Sequence, residues 1–456
     1  MTKSLITILT IALAGCCSPD LRTPPATGTP ADAMLTADPS AVTTATLSAV
    51  AASMGAHYWT RAQWEGVTLE PYRRDPTQVD ADSFGKGGDS ALFTGFALAA
   101  HALQAHTTGN PAALDHALTN LRGLWYVTHA AGPGVIARVA FPTAEASRFR
   151  YPESWSSNDQ RFVGTVPSVP GPPLPAPFSN PFGETTFYTR GTKDQLTGIV
   201  FGLSVAWVML PEGREAIRQT TADLATHLEA HGWKIRDENG ANDTNADEVD
   251  GLLRLAFLAL WRRTSDDPSV KARYLDEFQA GGIGDWFNGF TNYTQYYAHN
   301  LRSARAFGIW MLEDDAGRQA EMADYFHDRV WAYVSGHQNA WFAVIRAALT
   351  GGHERAEASA IALRSLASLS LRTLRRWTSP YGGQDHAPSL VAHLFGCADA
   401  WVLPPHQRAG TNYWLWQKDP WSTGSSAPNA AAPPHGDGTG LSFLLPYWLA
   451  RATGLW

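Results

Sequence analysis

Charge is scarce in this 456-residue chain: 35 Lys and Arg and 42 Asp and Glu make up 17% of it. Soluble domains usually carry ~25%. The formal net charge of −7 leaves no basic excess, which argues against a nucleic-acid binder working through a positive face. Cysteine is scarcer still, and three residues of it exclude a disulfide scaffold and any zinc site built from four thiolates. No G-x-S-x-G elbow, Walker loop or H-E-x-x-H zinc motif occurs. What is abundant is apolar and aromatic: 44% hydrophobic residues, with 18 Trp, 14 Tyr and 19 Phe. Such a chain can bury a large core, and wholesale disorder is excluded.

The first twenty residues, MTKSLITILTIALAGCCSPD, have the form of a targeting segment. Lys3 supplies the positive start, Leu5 to Leu13 the apolar stretch, and Ala14-Gly15 the small residues before a cleavage point. That apolar run falls short of the ~20 residues that span a bilayer. Leu13-Ala14-Gly15-Cys16 resembles the lipobox of bacterial lipoproteins, which implies lipidation at Cys16 after removal of residues 1–15. Cys17 in the second mature position is not the Asp associated with inner-membrane retention in that family, so the resemblance implies an outer-membrane anchor, periplasmic or surface-facing. The acyl chains would be the only contact with the membrane. Residues 16–39 are rich in Pro, Thr, Ala and Ser and suit a flexible tether. Cys17 and Cys397 are far apart in sequence, and no bridge is expected between them.

From residue 40 to 456 the chain is expected to form a single all-α domain. Apolar residues at i, i+3, i+4 and i+7 predict helices over 40–64, 89–107, 111–129, 193–209, 213–231, 246–264, 268–280, 292–313, 316–335, 338–350, 354–377 and 440–453. No convincing run of alternating strands interrupts them. Breaks such as Thr108-Gly109-Asn110-Pro111, Asp266-Asp267-Pro268 and Gly351-Gly352 are short, so the unit is a tight helical hairpin. Five hairpins plus one helix at each end make about twelve helices. Pairing the first with the last would close a ring of six hairpins. The segments 91–103, 196–210 and 252–261 are apolar all round, as inner helices must be. Their partners at 213–232 and 317–336 are amphipathic. A solenoid would also stack hairpins, with more uniform repeats. Two long loops, 140–190 and 378–438, lack helical periodicity, and loops of that length in a compact domain are usually functional or disordered.

This pattern resembles the (α/α)6 toroid of the six-hairpin glycosidases and related polysaccharide lyases. Members of that superfamily place acid/base and sugar-binding residues on loops entering the inner helices at one mouth, often with an Asp near a helix start. Gly87-Gly88-Asp89-Ser90 and Thr192-Lys193-Asp194-Gln195 match that placement. The resemblance implies a carbohydrate substrate and a catalytic pair, Asp89 and Asp194, hydrolysing a glycosidic bond in an oligo- or polysaccharide. It implies no cofactor, no metal and no nucleic acid. Both Asp residues are equally suited to capping their own helices, worth ~1 kcal/mol. A helix start also lowers a carboxyl pKa, so a general acid there needs burial or a neighbouring carboxylate as an offset. The DDxxD and DxDD clusters of terpene cyclases and the Cys/His zinc ligands of lanthionine synthetases, which also use helical toroids, are absent.

Substrate-binding candidates surround this pair. Tyr296, His299 and Asn300 share one helix face, with Tyr297 beside them. In a lyase-like member a Tyr and a His would act as base and acid beside a uronate carboxylate. Packing within a polar core is the alternative use of these groups. Arg138, Arg190 and Lys193 would bind a uronate carboxylate, or serve as surface ion pairs, and Gln195 is a further substrate-binding candidate. Trp155, Trp286, Trp414, Trp416 and Trp421 fall in loops or at helix ends, where exposed faces would stack on sugars. Trp207, Trp261 and Trp310 fall at helical core positions. The acidic stretch 237–245 offers oxygen ligands for calcium, with a solvated loop as the alternative, but it misses EF-hand spacing, because Asn242 occupies the position that needs Gly. A non-catalytic glycan- or protein-binding lipoprotein is the second function class compatible with the same ring.

Overall fold

The structure is a computed structural model and describes residues 42–73, 83–85, 87–148, 162–166, 184–188, 190–241, 247–280, 296–370, 402–408, 413–421, 435–436 and 438–456. Cys16, Cys17, Cys397, Trp155 and Trp286 lie outside them. The chain is mostly helical. Among the described residues, its helices of ten residues or more are α1 (Thr44–Arg61), α2 (Ser90–Thr108), α3 (Pro111–His129), α4 (Lys193–Met209), α5 (Arg214–Ala230) and α6 (Gly251–Thr264). Then come α7 (Pro268–Ala280), α8 (Tyr297–Leu312), α9 (Ala316–Phe326), α10 (Ala340–Leu349), α11 (Gly352–Ser370) and α12 (Leu441–Ala452). Each overlaps one of the periodic segments, with starts up to five residues away; 40–41, 246, 292–295 and 371–377 lie outside the described residues. In the stretch 316–335, a π-helical segment at His327–Trp331 follows α9.

Local chemistry sets the helix ends. Asn110 caps α3 by accepting from Ala112 N at 2.9 Å, with Pro111 in the first turn, where its missing N–H is no loss. Gly109, left-handed at φ 60°, ends α2. Asp315 caps α9 through Arg318 N, and Asn339 caps α10 through Trp341 N.

Two kinds of helix result. Every residue of α2 from Ser90 to Leu103 is buried, as is every residue of α4 from Gln195 to Ala206 and of α10 from Ala340 to Ala347. By contrast α5 buries one stripe, including Ala216, Ile217, Thr220, Leu224 and Leu228. The well-buried helices contact one another in sequence: α2 with α4, α4 with α6, α6 with α8, α8 with α10, α10 with α12, and α12 with α2 again. The intervening helices α3, α5, α7, α9 and α11 each pack on the preceding member of that series, and α1 packs on α12.

The tightest crossing is α2 on α4. A Cβ at Gly95 would collide with the Gly198 carbonyl, one at Gly198 with the Leu92 backbone, and one at Gly202 with the Gly95 backbone. Three glycines therefore let two backbones touch. Between α2, α4 and α10 the interior is aromatic. Phe96 meets Phe201 edge-on at 5.5 Å, Phe201 meets Trp341 at 5.6 Å, and Trp341 meets Trp414 at 5.8 Å.

Strands do occur in the loops, contrary to expectation. Val139–Pro142 (β5), Phe162–Val166 (β6) and Thr185–Tyr188 (β7) form an antiparallel sheet in the order β5-β7-β6. A hairpin of Gln63–Trp64 (β1) and Val67–Thr68 (β2) follows α1. A second small sheet joins Pro71–Arg73 (β3), Ser83–Phe84 (β4) and His435–Gly436 (β8). Segments of two to five residues are too short for alternation to register, and the pairing of 139–142 with 185–188 is remote in sequence.

At the far end of the bundle one carboxylate joins four elements. Glu313 follows α8; Arg318 of α9 donates to it at 3.0 and 2.9 Å, and Tyr274 of α7 donates at 2.5 Å. Arg262 of α6 lies 3.5 Å away, and the amides of Asp314 and Asp315 complete the shell. Burial alone would raise this carboxyl, but the Arg318 and Tyr274 hydrogen bonds, the Asp315 amide and the Arg262 charge outweigh it and hold it well below the usual range.

Two outcomes follow for stability. Gly198→Ala and Gly95→Ala each destabilise the fold by ~1–3 kcal/mol through overpacking at a backbone contact, read as a lower urea midpoint. Glu313 has a depressed folded pKa, so its contribution is complete above the ordinary glutamate value of 4.5 and is lost as pH falls toward the folded value. Glu313→Gln costs about 3 kcal/mol at pH 7 and flattens the acid limb of stability measured by denaturant unfolding between pH 3 and 7.

Candidate active site

Contacts among first turns show where the helices of the well-buried series begin. Segment 413–417 touches four of them. Tyr413 stacks on Phe93 of α2 at 4.7 Å, and Trp414 meets Trp341 of α10. The Trp416 carbonyl accepts from Asn300 Nδ2 of α8, and Trp416 Nε1 donates to the Ser442 carbonyl of α12 at 2.8 Å. Lys193, opening α4, lies 3.7 Å from Asp250, the N-cap of α6. Gln195 of α4 bonds to Asp89 before α2. All six helices thus begin at one end, and both candidate carboxylates sit there.

Neither Asp is spent on capping. Asp89 is the N-cap residue of α2, but its side chain accepts no amide of the first turn. Its Oδ1 instead accepts from Gln195 Nε2 at 3.1 Å. Asp194 lies in the first turn of α4, whose N-cap is Thr192. Around them the backbone is braced. Arg138 donates through Nη1 to the Gly88 carbonyl at 2.9 Å and through Nε to the Arg190 carbonyl at 2.8 Å. Its own carbonyl accepts from Ala91 N at 2.8 Å. Arg190 has a left-handed φ of 64°, a strained conformation for a side-chain-bearing residue. Its carbonyl is the one Arg138 Nε binds, and its side chain is buried.

The electrostatics separate the two acids. Burial pushes the Asp89 carboxyl up; Arg138 opposes this, the Asp194 charge adds to it, and the Gln195 hydrogen bond lowers it. Burial also pushes Asp194 up, against three cations: Arg305, Arg138 and Lys193. The helix starts pull both down by only ~0.3–1 kcal/mol, whereas burial acts on a scale of several pKa units. Burial prevails at both. The offset a general acid needs is therefore present, as burial and as a second carboxylate.

The structure brings Asp89, Asp194, Arg138, Lys193, Gln195 and Tyr297 together. Tyr297 is 39% exposed; burial raises its hydroxyl and the Asp194 charge raises it further. Arg305 of α8 belongs to the same group and was not singled out from sequence. It donates from Nε and Nη2 to Thr197 Oγ1 at 2.9 and 2.8 Å, while facing Asp194. An arginine within a well-buried helix needs a partner, and Arg305 in the apolar-periodic segment 292–313 is the available signal.

Other candidates lie elsewhere. Tyr296, His299 and Asn300 do share a face, but it is a buried one. The Tyr296 hydroxyl lies 3.3 Å from His337 Nδ1 and 3.4 Å from Asn339 Nδ2. Burial and the nearby Arg302 charge lower the His299 imidazole to about 4. Trp414, Trp416 and Trp421 are 0, 1 and 2% exposed, so their loop position does not leave sugar-stacking faces. Trp414 and Trp416 are drawn inside because the interior between α2, α8, α10 and α12 must be filled, whereas Trp421 packs edge-on against His337 at 5.1 Å, beside Val402. In the acidic stretch, Asp237 Oδ1 accepts from Asn239 N and Ala241 N of its own loop. Among the described residues no group of three or more metal-ligating side chains occurs, and no helix is long and apolar enough to cross a membrane.

No protein-family model matches the chain, and no characterised protein or solved structure is significantly similar to it.

The coupling between the two acids has a signed test. Carboxyl titration followed by 13C NMR should show the Asp89 pKa falling in Asp194→Asn, which removes a like charge. It should rise further in Arg138→Met, which removes the opposing one.

Proposed function

We propose that the chain is a glycosidic-bond hydrolase in which helices α1–α12 form an (α/α)6 toroid, with Asp89 and Asp194 as its acid/base pair at one mouth. The closed succession of contacts from α2 through α12 and back, with α1 on α12, supports the toroid. One observation carries the chemistry: two carboxyls held at the same end, both pushed up by burial, each acting in a different charge setting.

The roles follow from that setting. Asp89 faces one cation and a like charge, so it holds its proton to higher pH and is the general acid toward the leaving oxygen. Asp194 faces three cations and is the group that stays ionised, to take a proton from water or to attack directly. Two carboxyl groups divided this way are what glycoside hydrolysis requires. Tyr297 and Arg305 line the Asp194 side. The lyase alternative draws no support from Tyr296 or His299, whose reactive atoms are committed to the interior. In this proposal Cys16 carries the lipid, and the domain is anchored to the outer membrane by that group alone.

The test is hydrolysis of an oligosaccharide panel by the chain lacking residues 1–20. Asp194→Asn and Asp89→Asn should each lower kcat/KM by ~10²–10⁴-fold. The wild-type pH profile should be a bell, rising as Asp194 ionises and falling as Asp89 loses its proton, with both limbs above the ordinary Asp value of 3.8. Undiminished turnover by either variant removes that residue from the mechanism.

A further inference from the structure

Gln195 was a candidate for binding substrate, yet its amide is already fully used. Oε1 accepts from Thr192 N at 2.9 Å and from Thr192 Oγ1 at 2.5 Å. Nε2 donates to the Gly88 carbonyl at 3.1 Å and to Asp89 Oδ1 at 3.1 Å. An amide offers two acceptor sites and two donors, so none remains for a ligand. The same four bonds forbid a flip. Turning the amide over would set its NH2 against the Thr192 N–H and its oxygen against the Gly88 carbonyl.

We propose that Gln195 is a positioning residue that decides which oxygen of Asp89 carries the proton: its locked N–H keeps Oδ1 an acceptor, so the proton resides on Oδ2. A carbonyl-type oxygen accepts this bond in the acid form, and the same oxygen accepts it more strongly once the group is ionised. In the hydrolysis proposed above, on which this inference rests for its use, the Oδ2–H bond breaks as the leaving oxygen takes the proton. The electron pair stays on Asp89, where Gln195 and Arg138 stabilise the carboxylate.

The charged groups facing Asp89 are Arg138, from the segment before β5, and Asp194, from α4. Arg305 from α8 and Lys193 face Asp194 behind it. Gly88 keeps a second donor in Arg138 Nη1, so removing the Gln195 amide does not strip that carbonyl. Thr192 N and Oγ1 lose their acceptor in Gln195→Leu, whereas Gln195→Glu keeps an oxygen for them.

The experiment is the Asp89 carboxyl titration by 13C NMR in wild type, Gln195→Leu and Gln195→Glu, assigned with Asp89→Asn and accompanied by thermal unfolding. Losing a donor to the ionised form should raise the Asp89 pKa by about one unit in Gln195→Leu, and a facing carboxylate should raise it further in Gln195→Glu. The isosteric Gln195→Glu carries the test if Gln195→Leu does not fold. An Asp89 titration unmoved in a folded variant overturns the inference, whatever the activity. A shifted titration in a chain that cleaves no glycan leaves Gln195 as described and removes only the hydrolase proposal.

Discussion

The contact on which the rest depends is that of α2 with α4, backbone against backbone. Gly95, Gly198 and Gly202 leave no room for a Cβ at the crossing, and glycine is the residue that permits such an approach. Because both helices start at the same end, closing that crossing carries their first turns together. Asp89 and the Thr192–Gln195 turn then come within hydrogen-bonding reach. The site is thus a consequence of packing two helices unusually close, with Arg138 and Gln195 both fastened to the Gly88 carbonyl between them.

The aromatic excess has a related origin. Well-buried helices that pack on one another leave an interior that side chains must fill, and between α2, α4 and α10 Phe96, Phe201, Trp341 and Trp414 fill it. Trp414 comes from a loop, so a loop closes the interior at the end where the helices begin. The scarcity of charge follows from the same arrangement. Whole stretches such as Ser90–Leu103 see no solvent, and charges there must pair or be absent. Glu313 shows the pairing solution at the opposite end, where a fully enclosed carboxylate is matched by Arg262 and Arg318.

Much of the helical order was legible because its signal is local. The 3.6-residue period, Pro111 at a first turn and Gly109 at a C-terminus fix α2 and α3 almost to the residue. The remote β5-β7 pairing had no such signal. Within the site, an Asp near each helix start was visible, but capping explained it equally well; only the side-chain geometry shows Asp89 capping nothing. Arg305 was hidden because its role depends on the contact of α8 with α4. Trp414, Trp416 and Trp421 depart from expectation for a physical reason: position in a loop does not determine exposure when the loop packs into the interior. Tyr297 rather than Tyr296 faces Asp194 because one step along a helix turns a side chain by ~100°.

The glycine crossing is the cause and the carboxyl pair the effect. The most direct measurement is the separation of the Asp89 and Asp194 carboxyls in crystals of the wild-type chain and of Gly198→Ala. In the wild type the two should open on one cleft within ~10 Å, the range glycoside hydrolysis needs. In the variant the helices should part and the separation should grow. Carboxyls directed to separate surfaces in the wild type, or a separation unchanged in a variant whose helices have moved apart, would contradict this.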